Sequence, residues 1–168
     1  NYPDDVDPVD AMADRLNLLA EGMDAQVLKA DVELARSLKG KPIPEGSSLG
    51  AEFVKALYTD AAMKKRPMPK PDPEVLAMWG GEFFIFPNLM ILPNAGNAMI
   101  YRVLPDPRDP DKCTFEILST KTYPEGEPVP RAIREDVTDY QDPDQVREIP
   151  RQDLGNIPRM QKGLHSLG

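Results

Sequence analysis

The sequence is poor in the residues on which most enzyme sites are built, with one cysteine, Cys113, and one histidine, His165. A single cysteine cannot form a disulfide or a cysteine-based metal cage within the chain, which favours a reducing, cytoplasmic location. A Ser-His-Asp triad would need His165 as its base, and a histidine so near the end of the sequence is expected to be solvated. The motifs GxGxxG, the Walker loop, GxSxG and HExxH are missing as well. On its own residues, the chain holds no complete catalytic set.

The chain also lacks an excess of positive charge and any long apolar run. Its 28 acidic and 20 basic residues give a formal net charge of −8, which argues against a nucleic-acid partner. No segment approaches the roughly 18 apolar residues of a membrane helix, so no membrane partner is expected. There is no signal peptide, and the first residue is Asn1 rather than methionine, so we expect a processed chain or a fragment.

The first third of the chain predicts helices within a single domain. Apolar residues recur at intervals of three and four over 9–27, and Asp7 followed by Pro8 is a typical helix start. Asp31 is a candidate cap of a continuation that ends at Gly40.

Prolines are frequent in the remainder of the chain. There are 19 of them, about twice the usual share, and they mark loops and element boundaries. Between two proline-rich loops, Ser47 or Ser48 opens a second helix that stops before Pro67. One short helical turn is expected over 73–79.

The middle of the chain predicts an antiparallel meander of three strands. The nearly continuous apolar run 82–92 is typical of a strand covered on both faces. Residues 94–97, Asn-Ala-Gly-Asn, favour a turn, and a returning strand is predicted at 98–104. After a polar turn, apolar and polar residues alternate over 113–123, which predicts a third strand with one face exposed to solvent. The order of helices, meander and final helix predicts the α+β class.

Residues 124–142 are acidic and rich in turn formers, which predicts a long surface loop before the final helix. That helix contains Gly155, Pro158 and Gly163, although glycine costs about 1 kcal/mol and proline about 3 kcal/mol relative to alanine inside a helix. Packing or function has to outweigh this cost.

Four residues of the final helix share one face by their spacing: Asp153, Asn156, Ile157 and Met160. Because two of them are apolar, the carboxylate and the amide are expected to point into the core. A buried carboxylate is costly unless it is paired or bound to a metal. The alternatives are that Asp153 caps a helix beginning after Pro150, or that it faces water.

Three motifs in this order resemble those of a known family. They are F-P-N at 86–88, R-x-x-P with a D-P-D turn at 102–111, and Q-D-x-x-N-x-x-x-x-Q-x-G-L at 152–164. The segment 20–26 is similar as well. Each motif is weak alone. Together they resemble the C-terminal catalytic region of the large (alpha) subunit of Rieske-type aromatic-ring-hydroxylating dioxygenases, from about Asp7 to the end.

The resemblance implies a fold and a metal site. The fold would be a helix-grip (START-like) catalytic domain, in which an antiparallel sheet with N-terminal helices curls around a long C-terminal helix. The family holds a mononuclear Fe(II) with two histidines and one carboxylate, a facial triad with open positions for dioxygen. The family's carboxylate resembles Asp153, and Asn156 would lie nearby as a supporting or packing residue.

The resemblance also implies partners and cofactors. The substrates would be an aromatic small molecule and dioxygen. Electrons would come from a Rieske 2Fe–2S cluster, usually one on a neighbouring subunit, and ultimately from NAD(P)H through a reductase or ferredoxin. A trimer of large subunits, with or without a small subunit, would be the active assembly.

The sequence departs from the family in two motifs. The C-x-H and C-x-x-H pairs of the Rieske cluster are absent, and so is the histidine pair that completes the iron site. Both are expected before Asn1 in a full-length subunit. Residues 1–168 are therefore interpreted as the C-terminal part of the catalytic domain, without the Rieske domain and the His-ligand segment, and inactive alone.

The resemblance further implies that the strand at 82–92 borders the substrate cavity. By the period of two, the residues on one face of this strand are Phe84, Phe86, Asn88 and Met90. They are either cavity residues or ordinary core, and a buried Asn88 amide would need hydrogen-bond partners.

Two other functions remain open at this point. A metal-free helix-grip module that binds a hydrophobic ligand would have the same order of elements. An acidic interaction domain, in which Asp153 is only a cap, is the third hypothesis. The identity of the substrate and the choice between mono- and dioxygenation are not encoded in these residues.

Overall fold

The protein combines helices with one antiparallel sheet, as expected for the α+β class. The computed structural model describes residues 6–70, 72, 74 and 81–166. The elements in this part of the chain are α1 (Pro8–Met23), α2 (Lys29–Arg36), α3 (Leu49–Met63), β1 (Phe83–Ile85), β2 (Leu89–Asn94), β3 (Asn97–Pro105), β4 (Cys113–Lys121) and α4 (Glu148–Leu164). Of the helical turn expected at 73–79, only Glu74 is described, so this expectation lies outside the described residues.

The predicted start of α1 is confirmed by its capping contacts. The Asp7 carboxylate accepts hydrogen bonds from the backbone N–H groups of Val9 at 2.8 Å and Asp10 at 3.4 Å, and Pro8 occupies the first helical position. These contacts satisfy donors that the first turn of a helix leaves without an intrahelical acceptor.

The start of α2 differs from the expectation that Asp31 is its cap. Leu28 is the N-cap, and Asp31 lies three residues later, where its carboxylate accepts a hydrogen bond from the Leu28 N–H at 2.9 Å. Asp31 is buried, and this burial raises the pKa of its carboxyl group above the usual range. The acid therefore still serves the helix start, but from inside the first turn.

The start of α3 follows the sequence signal. The Ser48 side chain is its N-cap and accepts a hydrogen bond from Ala51 N–H at 3.2 Å. The three N-terminal helices share a core of small and aliphatic residues with one aromatic, namely Ala13, Ala20, Val27, Val32, Ala35, Phe53 and Leu57.

The apolar run at 82–92 forms two strands and a turn, so the prediction of one strand covered on both faces is wrong. The chain reverses at Phe86–Asn88, with a cis peptide bond before Pro87. Proline has no N–H for a strand ladder and is suited to such a turn. The resulting strands are partly exposed, and β1 pairs with β2 through the register Phe84↔Met90.

The sheet therefore has four strands in the order β1-β2-β3-β4, all antiparallel, instead of the predicted three. The predicted turn between β2 and β3 is confirmed, with Ala95 and Gly96 both at positive φ. The register Met90↔Tyr101↔Ile117 places these side chains on one face, which we call the inner face. At one end of this face Met99 is buried against Ala25, in the connection between α1 and α2.

Helix α4 begins earlier than the proline pattern indicates. Its N-cap is Arg147, and Pro150 lies at the third helical position, where the backbone N–H has no intrahelical acceptor. The alternative in which Asp153 caps this helix is therefore wrong. Pro158 lies inside the helix.

The first turn of α4 packs against the end of α1. A Cβ atom on Gly22 would lie 2.9 Å from Ile149 Cδ1, so the absence of a side chain there permits the approach. An ion pair between Arg147 and Asp24 at 3.0 Å joins the same two helix ends.

The segment at 124–142 is a mostly exposed connection without helix or strand, as predicted. Val146, just beyond it, is buried before α4 begins. In the described part of the chain, no helix is both long and apolar enough to cross a membrane.

Candidate functional site

Asp153 lies on α4 and contacts the sheet. Tyr101 Oη, from the middle of β3, donates a hydrogen bond to Asp153 Oδ2 at 3.0 Å. The two residues are 52 positions apart in the sequence, so the contact depends on the tertiary arrangement of α4 and the sheet. It is the one hydrogen bond that the Asp153 side chain makes among the described residues.

The helix face that carries Asp153 is exposed, and the expectation that it points into the core is wrong. Ile157 is 37% exposed and Met160 is 62% exposed. The Asn156 amide is exposed as well, with its nitrogen 3.8 Å from Met160 Sδ. The reason is that α4 packs through its first turn against α1, so the helix face beyond Asp153 is covered only in part by other described elements.

Tyr101 is held firmly on the inner face. Its ring packs against Phe115 with the centroids 5.1 Å apart and the planes tilted by 57°. Only 9% of Tyr101 is exposed. Burial first, and then the hydrogen bond to Asp153, raise the pKa of the Tyr101 hydroxyl well above its usual range. The hydroxyl is therefore protonated at neutral pH and donates to the carboxylate.

An apolar cavity of about 400 Å³ lies on the inner face beside Tyr101. Its lining residues are Phe84, Pro87, Asn88, Met90, Tyr101, Val103, Pro105 and Phe115. Cavities of this size and character commonly hold a drug-sized apolar molecule. One lining residue, Tyr101, thus contacts both the cavity and, through its hydroxyl, Asp153.

Phe84, Phe86, Asn88 and Met90, which were expected on one face of a single strand, lie partly in β1 and β2 and partly in the turn between them. Phe84 and Met90 face each other across the β1–β2 pair and line the cavity. Asn88 lies in the turn, also at the cavity, and its amide nitrogen donates to the Val103 carbonyl at 2.9 Å. Phe86 is 84% exposed in the same turn and is not among the lining residues.

Sequence reasoning missed the role of Tyr101. A signal was present, because Met99, Tyr101 and Val103 alternate on the inward side of a strand and the tyrosine alone carries a polar group. A buried tyrosine hydroxyl usually finds a hydrogen-bond partner. The partner's identity could not be read from β3.

The described residues contain one carboxylate at this site and no group of three or more His, Cys, Asp and Glu side chains that could hold a metal. His165 lies at the far end of α4, where its Nε2 is 2.9 Å from Asp111 Oδ1. Gln161 donates to the same oxygen at 3.1 Å, so this end of the helix is joined to the β3–β4 connection. His165 therefore contacts Asp111 and is not a partner of Asp153.

An iron site of the two-histidine, one-carboxylate type has three protein ligands, and Asp153 could supply one of them. The Asp153 carboxylate is an oxygen ligand of the kind such a site uses, and one of its oxygens has no hydrogen-bond partner among the described residues. The two histidines would have to come from outside this chain.

Comparison with known proteins identifies the family. The model of the family described as "Ring hydroxylating alpha subunit (catalytic domain)" matches residues 44–168, which include the whole sheet and α4. The match begins later than the resemblance noted from about Asp7, so α1 and α2 lie outside it. No curated protein and no solved structure matches the chain significantly. Since the match covers most of the chain, the protein belongs to the family of ring-hydroxylating alpha subunits, and residues 44–168 are catalytic-domain sequence.

Proposed function

We propose that the chain is the C-terminal part of the catalytic domain of a Rieske-type ring-hydroxylating oxygenase, in which Asp153 supplies the carboxylate ligand of a mononuclear Fe(II). One observation carries the proposal. The Asp153 carboxylate accepts a hydrogen bond from Tyr101, and Tyr101 is also one of the residues that line the apolar cavity. This contact supports the proposal because it would connect a metal ligand with a binding site for an aromatic ring.

Each group in this arrangement has a defined task. Asp153 would hold the metal together with two histidines from a part of the subunit outside this chain. Phe84, Met90 and Phe115 would orient an aromatic ring by apolar and aromatic contact. Iron, when bound, would supply the activation of dioxygen.

The proposal extends to the assembly that the family membership implies. A Rieske 2Fe–2S cluster outside this chain would deliver electrons, supplied from NAD(P)H through a ferredoxin or reductase. Other large subunits would complete the active oligomer, and the isolated chain would be inactive because it has a single iron ligand near the cavity.

The direct test replaces Asp153 by alanine in the full-length subunit that carries this chain. We expect iron content to fall to background and ring hydroxylation to be lost. The fold should survive, because Asp153 is exposed and one hydrogen bond typically contributes about 1 kcal/mol to stability. Iron is measured by elemental analysis, and folding by circular dichroism.

Asp14→Ala is the matched control, because Asp14 is also an exposed aspartate within a helix. It should keep full iron content and activity. Stoichiometric iron and normal turnover in Asp153→Ala would overturn the assignment.

A metal-free module that binds a hydrophobic ligand is the second candidate. The observation in its favour is that eight described residues line the cavity, whereas the described residues include no group of three or more side chains that could hold a metal. Calorimetric titration with toluene in the presence of EDTA, together with the coding sequence upstream of Asn1, separates the two. Saturable binding and no upstream histidine pair would favour this module, whereas the pair would favour the oxygenase.

A further inference from the structure

We propose that Tyr101 is a positioning residue that holds the Asp153 carboxylate by one oxygen and leaves the other for the metal. This inference rests on the proposed function of Asp153. It assigns to the chain a second residue of the metal site, one that touches the ligand and not the metal.

The position of Tyr101 is determined by its strand. β3 is an inner strand of the sheet, and Tyr101 is paired with Met90 on one side and Ile117 on the other. Its ring is further restrained by Phe115. A hydroxyl carried on such a ring has little freedom to move, which is what a supporting hydrogen bond to a ligand requires.

Asp153, in contrast, has few restraints of its own. It is exposed on α4. Side-chain hydrogen bonds join that helix to Tyr101 of β3 and to Asp111 in the β3–β4 connection. The Asp111 contacts involve Gln161 and His165, more than one helical turn beyond Asp153. Among the described residues, the Tyr101 hydroxyl is therefore the one group that orients the carboxylate itself.

A donor on one oxygen changes how the carboxylate can bind. With Oδ2 engaged by Tyr101, Oδ1 has no described hydrogen-bond partner and is the better electron-pair donor to a metal. This favours binding through a single oxygen over binding through both. Outer hydrogen-bond partners of metal ligands generally set ligand orientation in this way.

The same residue connects the cavity to the carboxylate. Tyr101 lines the cavity, so a molecule that packs against this residue lies one side chain away from Asp153. We therefore expect an aromatic molecule in the cavity to alter the spectrum of a metal bound at Asp153, and we expect this response to require the Tyr101 hydroxyl.

The test uses Tyr101→Phe in the full-length subunit, which keeps the ring and removes one oxygen atom. Fe(II) affinity should fall by about 10- to 100-fold, the usual effect of losing such a partner. The visible spectrum of Co(II) placed in the site should shift, and its response to toluene should be lost. Toluene affinity should stay within about twofold, because the cavity wall is intact.

Tyr58→Phe is the matched control. Its hydroxyl also donates one hydrogen bond, to the Pro69 carbonyl at 2.6 Å, but it lies on α3 away from the site. This variant should have the wild-type Fe(II) affinity and Co(II) spectrum. A loss of affinity shared by both tyrosine variants would indicate a general effect on the fold and would overturn the positioning role.

Asp153→Ala in the same series separates the two proposals. If it binds Fe(II) as well as the wild type, the proposed function fails. If it loses Fe(II) while Tyr101→Phe has the wild-type affinity and Co(II) spectrum, the iron site stands and the role of Tyr101 is wrong.

A second measurement does not depend on any variant folding. In a crystal structure of the metal-loaded wild-type subunit, Tyr101 Oη should remain within hydrogen-bond distance of Oδ2, at about 3 Å, with the metal on Oδ1. A metal-loaded site with the Tyr101 hydroxyl turned away from the carboxylate would overturn the proposal.

Discussion

At the scale of single residues, the β2–β3 turn depends on the absence of a side chain at position 96. Gly96 has a φ of +94°, a region in which residues with a Cβ atom are strained. A Cβ there would lie 2.8 Å from Thr122 Oγ1 and 2.9 Å from Met68 Sδ. The turn is therefore restricted both by its own backbone and by its neighbours.

We expect Gly96→Ala to lower the free energy of unfolding by about 1–3 kcal/mol, the sum of a left-handed backbone penalty and local overpacking. Urea denaturation followed by circular dichroism measures the loss. Gly155→Ala is the control, because Gly155 lies inside α4 and a Cβ atom added to it would have no neighbour within 4 Å. It should stabilise the protein by up to about 1 kcal/mol, and a neutral Gly96→Ala would contradict the argument.

At the scale of elements, one close approach connects the first helix of the chain with the last. Gly22 of α1 leaves room for Ile149 in the first turn of α4. Because α4 carries Asp153 one turn later, this contact helps to set the position of the candidate ligand relative to Tyr101.

We expect Gly22→Val to destabilise the protein by about 1–3 kcal/mol, because the new methyl groups would overlap Ile149. Adding Ile149→Ala should recover part of this loss, and a double-mutant cycle from urea denaturation measures the coupling. Gly50→Val, at an open position in the first turn of α3, should change stability by no more than about 0.5 kcal/mol. Additive effects at Gly22 and Ile149 would show that the two side chains do not compete for space.

The elements also show where sequence reasoning succeeded and where it failed. The sequence predicts the cap at Asp7 and narrows the cap of α3 to Ser47 or Ser48, of which Ser48 is the N-cap, because a cap acts on backbone groups within one turn. The run at 82–92 was interpreted as one strand because its apolar residues are nearly continuous. Pro87, in the middle of that run, is the local signal that favours a turn, because proline has no N–H for a strand ladder.

At the scale of the whole molecule, acidic charge and exposed apolar side chains have opposite effects on self-association. The formal net charge is −8 and the sequence pI is about 4.7. Large apolar side chains with more than half of their surface exposed include Phe84, Phe86 and Met160 in the part of the chain that the structure describes. Charge repulsion is expected to oppose contacts between such surfaces on different copies.

We expect self-association of the chain to increase as the pH falls from 7 towards 4.7, since protonation of carboxylates removes the net negative charge. Raising the salt concentration at pH 7 should act in the same direction, because salt shortens the range of repulsion to less than about 10 Å above 0.1 M. Light scattering across the pH series measures both effects. Scattering that is constant with pH and salt would contradict this account.

The sequence by itself determined the α+β class, the starts of α1 and α3, the two-residue turn at 95–96 and the acidic surface. These features depend on interactions between residues close together in the chain, so local patterns predict them. Asp153 could be singled out from the motif at 152–164, but its surroundings could not be predicted.

Only the tertiary structure decided which residue meets Asp153, how far its helix face is covered, and which residues line the cavity. The contact between Tyr101 and Asp153 spans 52 positions, and it depends on the register of β3 and on the packing of α4 against α1. No local pattern specifies such a distance, because it is set by how whole elements pack. For that reason Asp153 could be singled out from the sequence, whereas its hydrogen-bond partner Tyr101 could not.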